Sequence, residues 1–162
     1  RPDTLTLGVC NGCQLWVALG LLGEGVNEMQ HNWTNKFECG FTDVSIQKNE
    51  SVLFKDLEGS RFGIWSAHGE GRFDLNGEES AFNIVGKYAY STLPGNPNGS
   101  SFDTAILTND DGRVTVMMPH LERSMFPWNW PVYEGGRTDD KVTPWLLAME
   151  AARNWCLEKR KT

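Results

Sequence analysis

The chain has 162 residues, a formal net charge of −6 and a pI near 5.0, with 40% hydrophobic and 22% charged residues. That length suits one domain burying roughly 70% of its unfolded surface, and the composition is that of an ordinary globular protein. No apolar run approaches the ~20 residues that cross a bilayer, and an acidic chain without a basic stripe is not expected to bind nucleic acid.

The opening Arg1-Pro2-Asp3-Thr4 lacks the basic-then-apolar pattern of a secretion signal. Four cysteines (Cys10, Cys13, Cys39, Cys156) make no dense disulfide framework at this length, so reduced thiols and a cytoplasmic location are expected. On that reading the Asn-x-Ser/Thr triplets at Asn32, Asn49 and Asn98 are chance matches.

In chain order, residues 4–9 (TLTLGV) read as a buried strand. It runs through Cys10-Asn11-Gly12 into an apolar helix over 13–22, and strand, tight turn and helix make one unit of a parallel α/β sheet. A central strand of that kind has sheet neighbours, and few candidates lie upstream. The expectation is therefore a fragment whose first strands are missing. Further strands are predicted at 37–46, 61–67, 83–90, 104–108 and 113–118, with Asn109-Asp110-Asp111-Gly112 as a hairpin turn. These predict antiparallel strands mixed with the parallel sheet. Segments 93–101 and 126–140 read as irregular. The chain closes on a helix, with Thr143 as N-cap, Pro144 in the first helical position and Trp145, Met149, Ala152 and Cys156 on its packing face. No repeat and no second domain is evident.

The most specific local feature is Gly8-Val9-Cys10-Asn11-Gly12, with Gln14 two positions on. A nucleophile at a strand-to-helix turn is held in a strained backbone with its side chain exposed, and small residues two before and two after let the backbone approach closely. The helix that follows aims its N-terminal amides at the site, where they favour a thiolate and can hold an oxyanion. The blander alternatives are a buried Cys among glycines, or Cys10-x-x-Cys13 as a redox pair or half a zinc site.

A thiol nucleophile needs a base. His120 lies just past the apolar strand at 113–118, and in extended backbone the period of two would put Glu122 on the same side, able to orient the imidazole. His68, in Ser66-Ala67-His68-Gly69-Glu70-Gly71, is an alternative base, or its loop could wall a substrate pocket with backbone amides. His31 reads as unrelated to chemistry. Asn96-Pro97-Asn98-Gly99-Ser100 reads as a rigid turn, and the aromatic run 126–130 as packing.

The Cys elbow ending in Gln14, followed at a distance by His-x-Glu, resembles the class I glutamine amidotransferases. The wording of the elbow, of Ser66–Gly71, of Asn96–Ser100 and of Met118-Pro119-His120-Leu121-Glu122-Arg123 is similar, in the same order, to the C-terminal glutaminase domain of the long single-chain formylglycinamide ribonucleotide amidotransferase family. The likeness covers nearly the whole chain. It departs at Leu121, where the family often has proline.

This resemblance implies an α/β, flavodoxin-like fold with a mixed sheet lacking its first strands, the chain being the C-terminal part of that glutaminase domain. It implies a Cys10-His120-Glu122 triad that releases ammonia from glutamine through a glutamyl thioester, with the Asn11 amide in the oxyanion hole. Gln14 and the backbone of Ala67, His68 and Gly69 would hold the glutamine. No cofactor or metal is implied in this domain. ATP and Mg²⁺ would serve a synthetase domain elsewhere in the parent chain, which would use the ammonia to aminate formylglycinamide ribonucleotide in de novo purine synthesis. In that family a loop upstream of the nucleophile strand supplies part of the oxyanion hole, so the fragment alone is expected to be weakly active or inactive. Two other readings stay open: a related cysteine hydrolase, such as a peptidase or γ-glutamyl hydrolase, and a non-catalytic binding homologue.

Overall fold

A computed structural model describes residues 2–133, 135–137 and 139–160. Within these residues, eight strands and two α-helices are arranged as a six-stranded sheet, a two-stranded sheet and a helix on either side. Strand β1 (Thr6–Val9) leads into helix α1 (Asn11–Ala18), and β2 (Val26–Gln30) follows. Then come β3 (Glu38–Ile46), β4 (Arg61–His68), β5 (Arg72–Leu75), β6 (Ile84–Tyr88), β7 (Thr104–Thr108), β8 (Val114–Met117) and helix α2 (Leu146–Lys159).

The large sheet has the order β1-β8-β7-β6-β3-β4. Only β1 and β8 are parallel, with Thr6 opposite Val114 and Val9 opposite Met117, and every other neighbouring pair is antiparallel. The predicted mixture of strand directions is thus present. Strands β2 and β5 pair with each other in a separate antiparallel ribbon that the sequence reading missed.

Adjacent residues of the central strands serve opposite cores, as a side-chain period of two requires. Ile106 and Met117 join Val44, Ile64, Phe54, Leu121 and Trp145 on the α2 side. Leu107, Val116 and Met118 join Cys13, Val17, Phe73 and Leu75 beneath α1 and the ribbon. Burial on both faces is why 104–108 (TAILT) reads as a continuous rather than alternating strand.

Helix α1 is shorter than predicted. Gly20 takes φ +67°, and the amides of Gly20 and Leu21 bond back to the carbonyls of Val17 and Trp16. This pair of bonds is the glycine C-terminal stop, so the helix ends at Ala18 although apolar residues continue to Leu22. At α2 the predicted cap is also corrected. Thr143 is buried and gives its hydroxyl to the Ser124 carbonyl at 2.7 Å, and the chain turns by i→i+3 bonds before the α-helix starts at Leu146. The packing face is Trp145, Ala148, Met149, Ala152 and Trp155, without Cys156.

Trp145 is fully buried, meets Phe62 and Phe54 edge-on at 5.3 and 6.2 Å, and donates its indole N–H to the Gly63 carbonyl at 2.8 Å. Trp145→Ala should cost about 3–5 kcal/mol, read as a lowered midpoint in urea denaturation. An unchanged midpoint would show that α2 is dispensable to the core. Of the predicted irregular stretch 126–140, residues 134 and 138 lie outside the described residues. The remainder is irregular around a short turn at Pro127–Asn129.

Candidate active site

Three chain segments converge at one end of the large sheet: the end of β1, the end of β4 and the chain leaving β8. The first two strands stand at opposite edges of the sheet order. They meet because the sheet curls. The His120 amide donates to the Trp65 carbonyl at 2.7 Å, an antiparallel bridge that carries β4 back to the residues just past β8.

Cys10 sits at the junction of β1 and α1 with φ +50° and ψ −105°. A non-glycine residue there is strained, and such strain persists only where the surroundings over-determine it. Its amide is fixed to the Met117 carbonyl of β8 at 2.8 Å, and its carbonyl accepts the Gln14 amide of the helix at 3.0 Å. A Cβ at Gly8 would lie 3.1 Å from the Gly12 backbone and 3.2 Å from Trp16, so glycine there permits the tight approach the elbow needs. At Gly12 an added Cβ meets nothing within 4 Å, so close packing is not its role, contrary to expectation. Asn11 opens α1, in the first turn, where helix amides have no intrahelical acceptor.

His120 lies beside Cys10 and is largely buried. Its Nδ1 is 2.6 Å from Glu122 Oε1, while its buried Nε2 has no hydrogen-bond partner. The Cys10 side chain first, and Glu122 second, favour the protonated ring and push its pKa up to about 9 against the opposing effect of burial. Burial acts to raise Glu122, but its bond to His120 and neighbouring charge outweigh that, leaving it below the usual carboxylate range. His120 and Glu122 do meet, though not through the predicted extended alternation. His120 is extended (φ −103°, ψ 91°), and the chain then enters a 3-10 turn at Leu121–Arg123 that folds Glu122 back onto the ring. Fully buried Leu121 pins that turn in the core, and Ser124 gives its hydroxyl to the His120 carbonyl at 3.1 Å.

The end of β4 faces the thiol, with Cys10 Sγ donating to the Ala67 carbonyl at 3.7 Å. His68 is turned inward. Ser66 Oγ lies 2.8 Å from its Nε2, and Asn32 Oδ1 lies 3.2 Å from its Nδ1. Burial first, and the nearby His120 second, bring its pKa down to about 4. It is therefore a neutral ring with both nitrogens engaged, not a free base. A Cβ at Gly71 would collide with that ring, so the turn closes only with glycine there. Gln14 donates its amide to the Glu70 carbonyl at 2.7 Å and so ties α1 to the same turn. His31 stands outside it, 3.7 Å from Glu70.

The turn 96–100 is more than a turn. Asn98 is fully buried and donates to the Gly71 carbonyl at 2.6 Å and to the Tyr88 hydroxyl at 3.1 Å, bracing the β4–β5 connection from below. Asn32 does the same from the side. The sequence reading took both as chance Asn-x-Ser/Thr triplets, and Asn98 also as part of a rigid turn; their burial leaves no room for a glycan. Cys13 is buried in the core, where burial first and Cys10 second raise its thiol far above the usual range. All four cysteines are free, and no metal-binding cluster of His, Cys, Asp or Glu exists among the described residues. No described helix is long and apolar enough to cross a membrane.

The fold is of the mixed α/β class, with a strained Cys on a strand-to-helix elbow and a His–carboxylate pair at the same end of the sheet. The chain belongs, more narrowly, to the glutamine amidotransferases: residues 1–156 match the family described as the CobB/CobQ-like glutamine amidotransferase domain. Over 97% of its length it is 36% identical to a probable phosphoribosylformylglycinamidine synthase of Caenorhabditis elegans, and over 98% it is 32% identical to the human phosphoribosylformylglycinamidine synthase. It spans 14% of each of those proteins. A chain of the PurLQS structure from Thermotoga maritima superposes with a TM-score of 0.72 at 26% identity, covering 93% of this chain and 61% of that one. A putative GMP synthase component of Thermoplasma acidophilum shares the fold at a TM-score of 0.56 and 14% identity, over 96% of this chain and 58% of its own.

Proposed function

We propose that this chain is the glutamine-hydrolysing part of an enzyme of the phosphoribosylformylglycinamidine synthase kind, with Cys10, His120 and Glu122 as its triad. The observation that carries the reading is the elbow itself: Cys10 at φ +50° beside an imidazole whose other nitrogen is 2.6 Å from a carboxylate. The Cys10 sulfur adds to the carboxamide carbon of glutamine, and the developing oxyanion lies toward the Asn11 amide. His120, holding the thiol proton, passes it to the nitrogen as the C–N bond breaks. Ammonia leaves, and the glutamyl group remains as a thioester on Cys10. His120 then takes a proton from water as the water oxygen attacks the thioester. The C–S bond breaks, glutamate departs and the proton returns to sulfur. Glu122 keeps the ring oriented throughout.

The Ala67 and Gly69 backbone walls the glutamine pocket, and Gln14 and His68 shape that wall from behind. The ammonia serves an amination of formylglycinamide ribonucleotide that uses ATP and Mg²⁺ in a synthetase domain outside this chain. The free thiols suit a cytoplasmic enzyme. A chloroketone analogue of glutamine should label the full-length protein once, on Cys10, because the elbow presents Cys10 while Cys13 is buried. Labelling that survives Cys10→Ala and disappears in Cys13→Ala would overturn the assignment.

A further inference from the structure

The buried side chain most densely bonded to the wall of the site is Asn32, on the turn after β2. It is 1% exposed. Its Nδ2 donates to the His68 carbonyl at 2.6 Å and to the Lys36 carbonyl at 2.9 Å. Its Oδ1 accepts the Gly71 amide at 3.2 Å and lies 3.2 Å from His68 Nδ1. Its own amide donates to the Gly69 carbonyl at 2.9 Å. These bonds also settle the imidazole. With two carbonyls fixing Nδ2 as the donor end, Oδ1 must accept, so His68 carries its proton on Nδ1 and takes the Ser66 hydroxyl on Nε2. One residue thus holds positions 68, 69 and 71 of the turn whose neighbour Ala67 touches Cys10, and it holds His68 in one neutral tautomer.

We propose that Asn32 is a positioning residue for glutamine: it fixes the 68–71 turn in register with the Cys10 elbow. The inference rests on the glutaminase reading. Asn32 makes no bond to the thiol, the elbow or the His120–Glu122 pair, whose anchors lie on β1, β8, the 121–124 turn and the Trp65 and Ala67 carbonyls of β4. Its loss should therefore loosen the pocket wall and leave the nucleophile intact. An alanine would strand the His68 carbonyl, the Gly71 amide and His68 Nδ1 in a buried space, a cost that moves the turn rather than being borne. An aspartate is the isosteric probe. It can still accept from Gly71 and His68 Nδ1, but it cannot donate to the two carbonyls.

The test measures, in the full-length protein and in Asn32→Ala and Asn32→Asp, the glutamine KM and kcat, the rate of Cys10 alkylation by iodoacetamide, and the ammonia-driven reaction. The expected result is a glutamine KM raised at least tenfold in both variants. Alkylation and the ammonia-driven rate should stay within twofold of the unaltered protein, a split that general destabilisation would not give. If Asn32→Ala does not fold, Asn32→Asp decides. An unchanged KM overturns the proposal while leaving the glutaminase reading intact. Alkylation that slows in step with the rise in KM also overturns it, since the elbow itself would then depend on Asn32. If the unaltered protein releases no ammonia from glutamine, the functional reading fails and this inference fails with it.

Discussion

Cys10→Ala should abolish ammonia release from glutamine in the full-length protein while synthesis driven by added ammonium salt continues. The sulfur forms the only covalent bond to substrate in the proposed mechanism, and removing the nucleophile of a triad costs on the order of 10⁴–10⁶-fold in rate. No neighbouring thiol can substitute. Cys13 is buried and its thiol is held protonated by that burial, and the elbow strain is built around position 10. Alanine keeps that strain, since it carries the same Cβ and any L-residue at φ +50° is disfavoured. The fold, and with it any contact to a synthetase domain, should survive. The measurement is the ratio of glutamine-dependent to ammonia-dependent product formation. Equal loss of both would argue against a separate glutamine-hydrolysing site and favour a single centre performing both steps.

The elbow was readable in the sequence because its logic is covalently local. Strand, glycine, cysteine and helix are consecutive, and the strained φ follows from that order. The long strands were readable because each is bounded by turn residues and buried on at least one face. What escaped was short or distant. Val26–Gln30 has five residues without clean alternation, Arg72–Leu75 alternates but over only four, and the two become strands by pairing with each other. The curl that brings Trp65 to His120 joins an edge strand to the chain leaving β8, four places away in the sheet order, and no local pattern encodes it. Glu122 was paired with His120 for the wrong geometric reason: a tight turn, anchored by Leu121, does what extended backbone was expected to do. Asn32 and Asn98 carried only the look of loop residues. Their roles come from hydrogen bonds to carbonyls 36 and 27 positions away, and burial alone turns a polar loop residue into a brace.

Removing the base should be nearly as damaging as removing the thiol. His120→Ala deletes the group that carries the proton in both halves of the reaction, a loss on the order of 10⁴–10⁶-fold in a triad whose members act as a unit. Glu122→Gln keeps the ring and should cost less, because orientation and charge support are weakened while the base remains. The two are separable by the titration of His120. Its pKa is raised from an ordinary 6.5 to about 9, by Cys10 first and Glu122 second. A raised folded-state value means that the interaction stabilises the protein fully below about 6.5 and is lost as the pH climbs through about 9. Glu122→Gln removes the second support, so the His120 midpoint, followed by NMR, should fall toward the ordinary value. Carboxamidomethylation of Cys10 removes the first and should lower it further. The alkaline loss of folding stability should move down with it. A His120 midpoint that stays near 9 in Glu122→Gln would mean that the carboxylate 2.6 Å away does not support the charged ring, and Glu122 would lose its place in the triad.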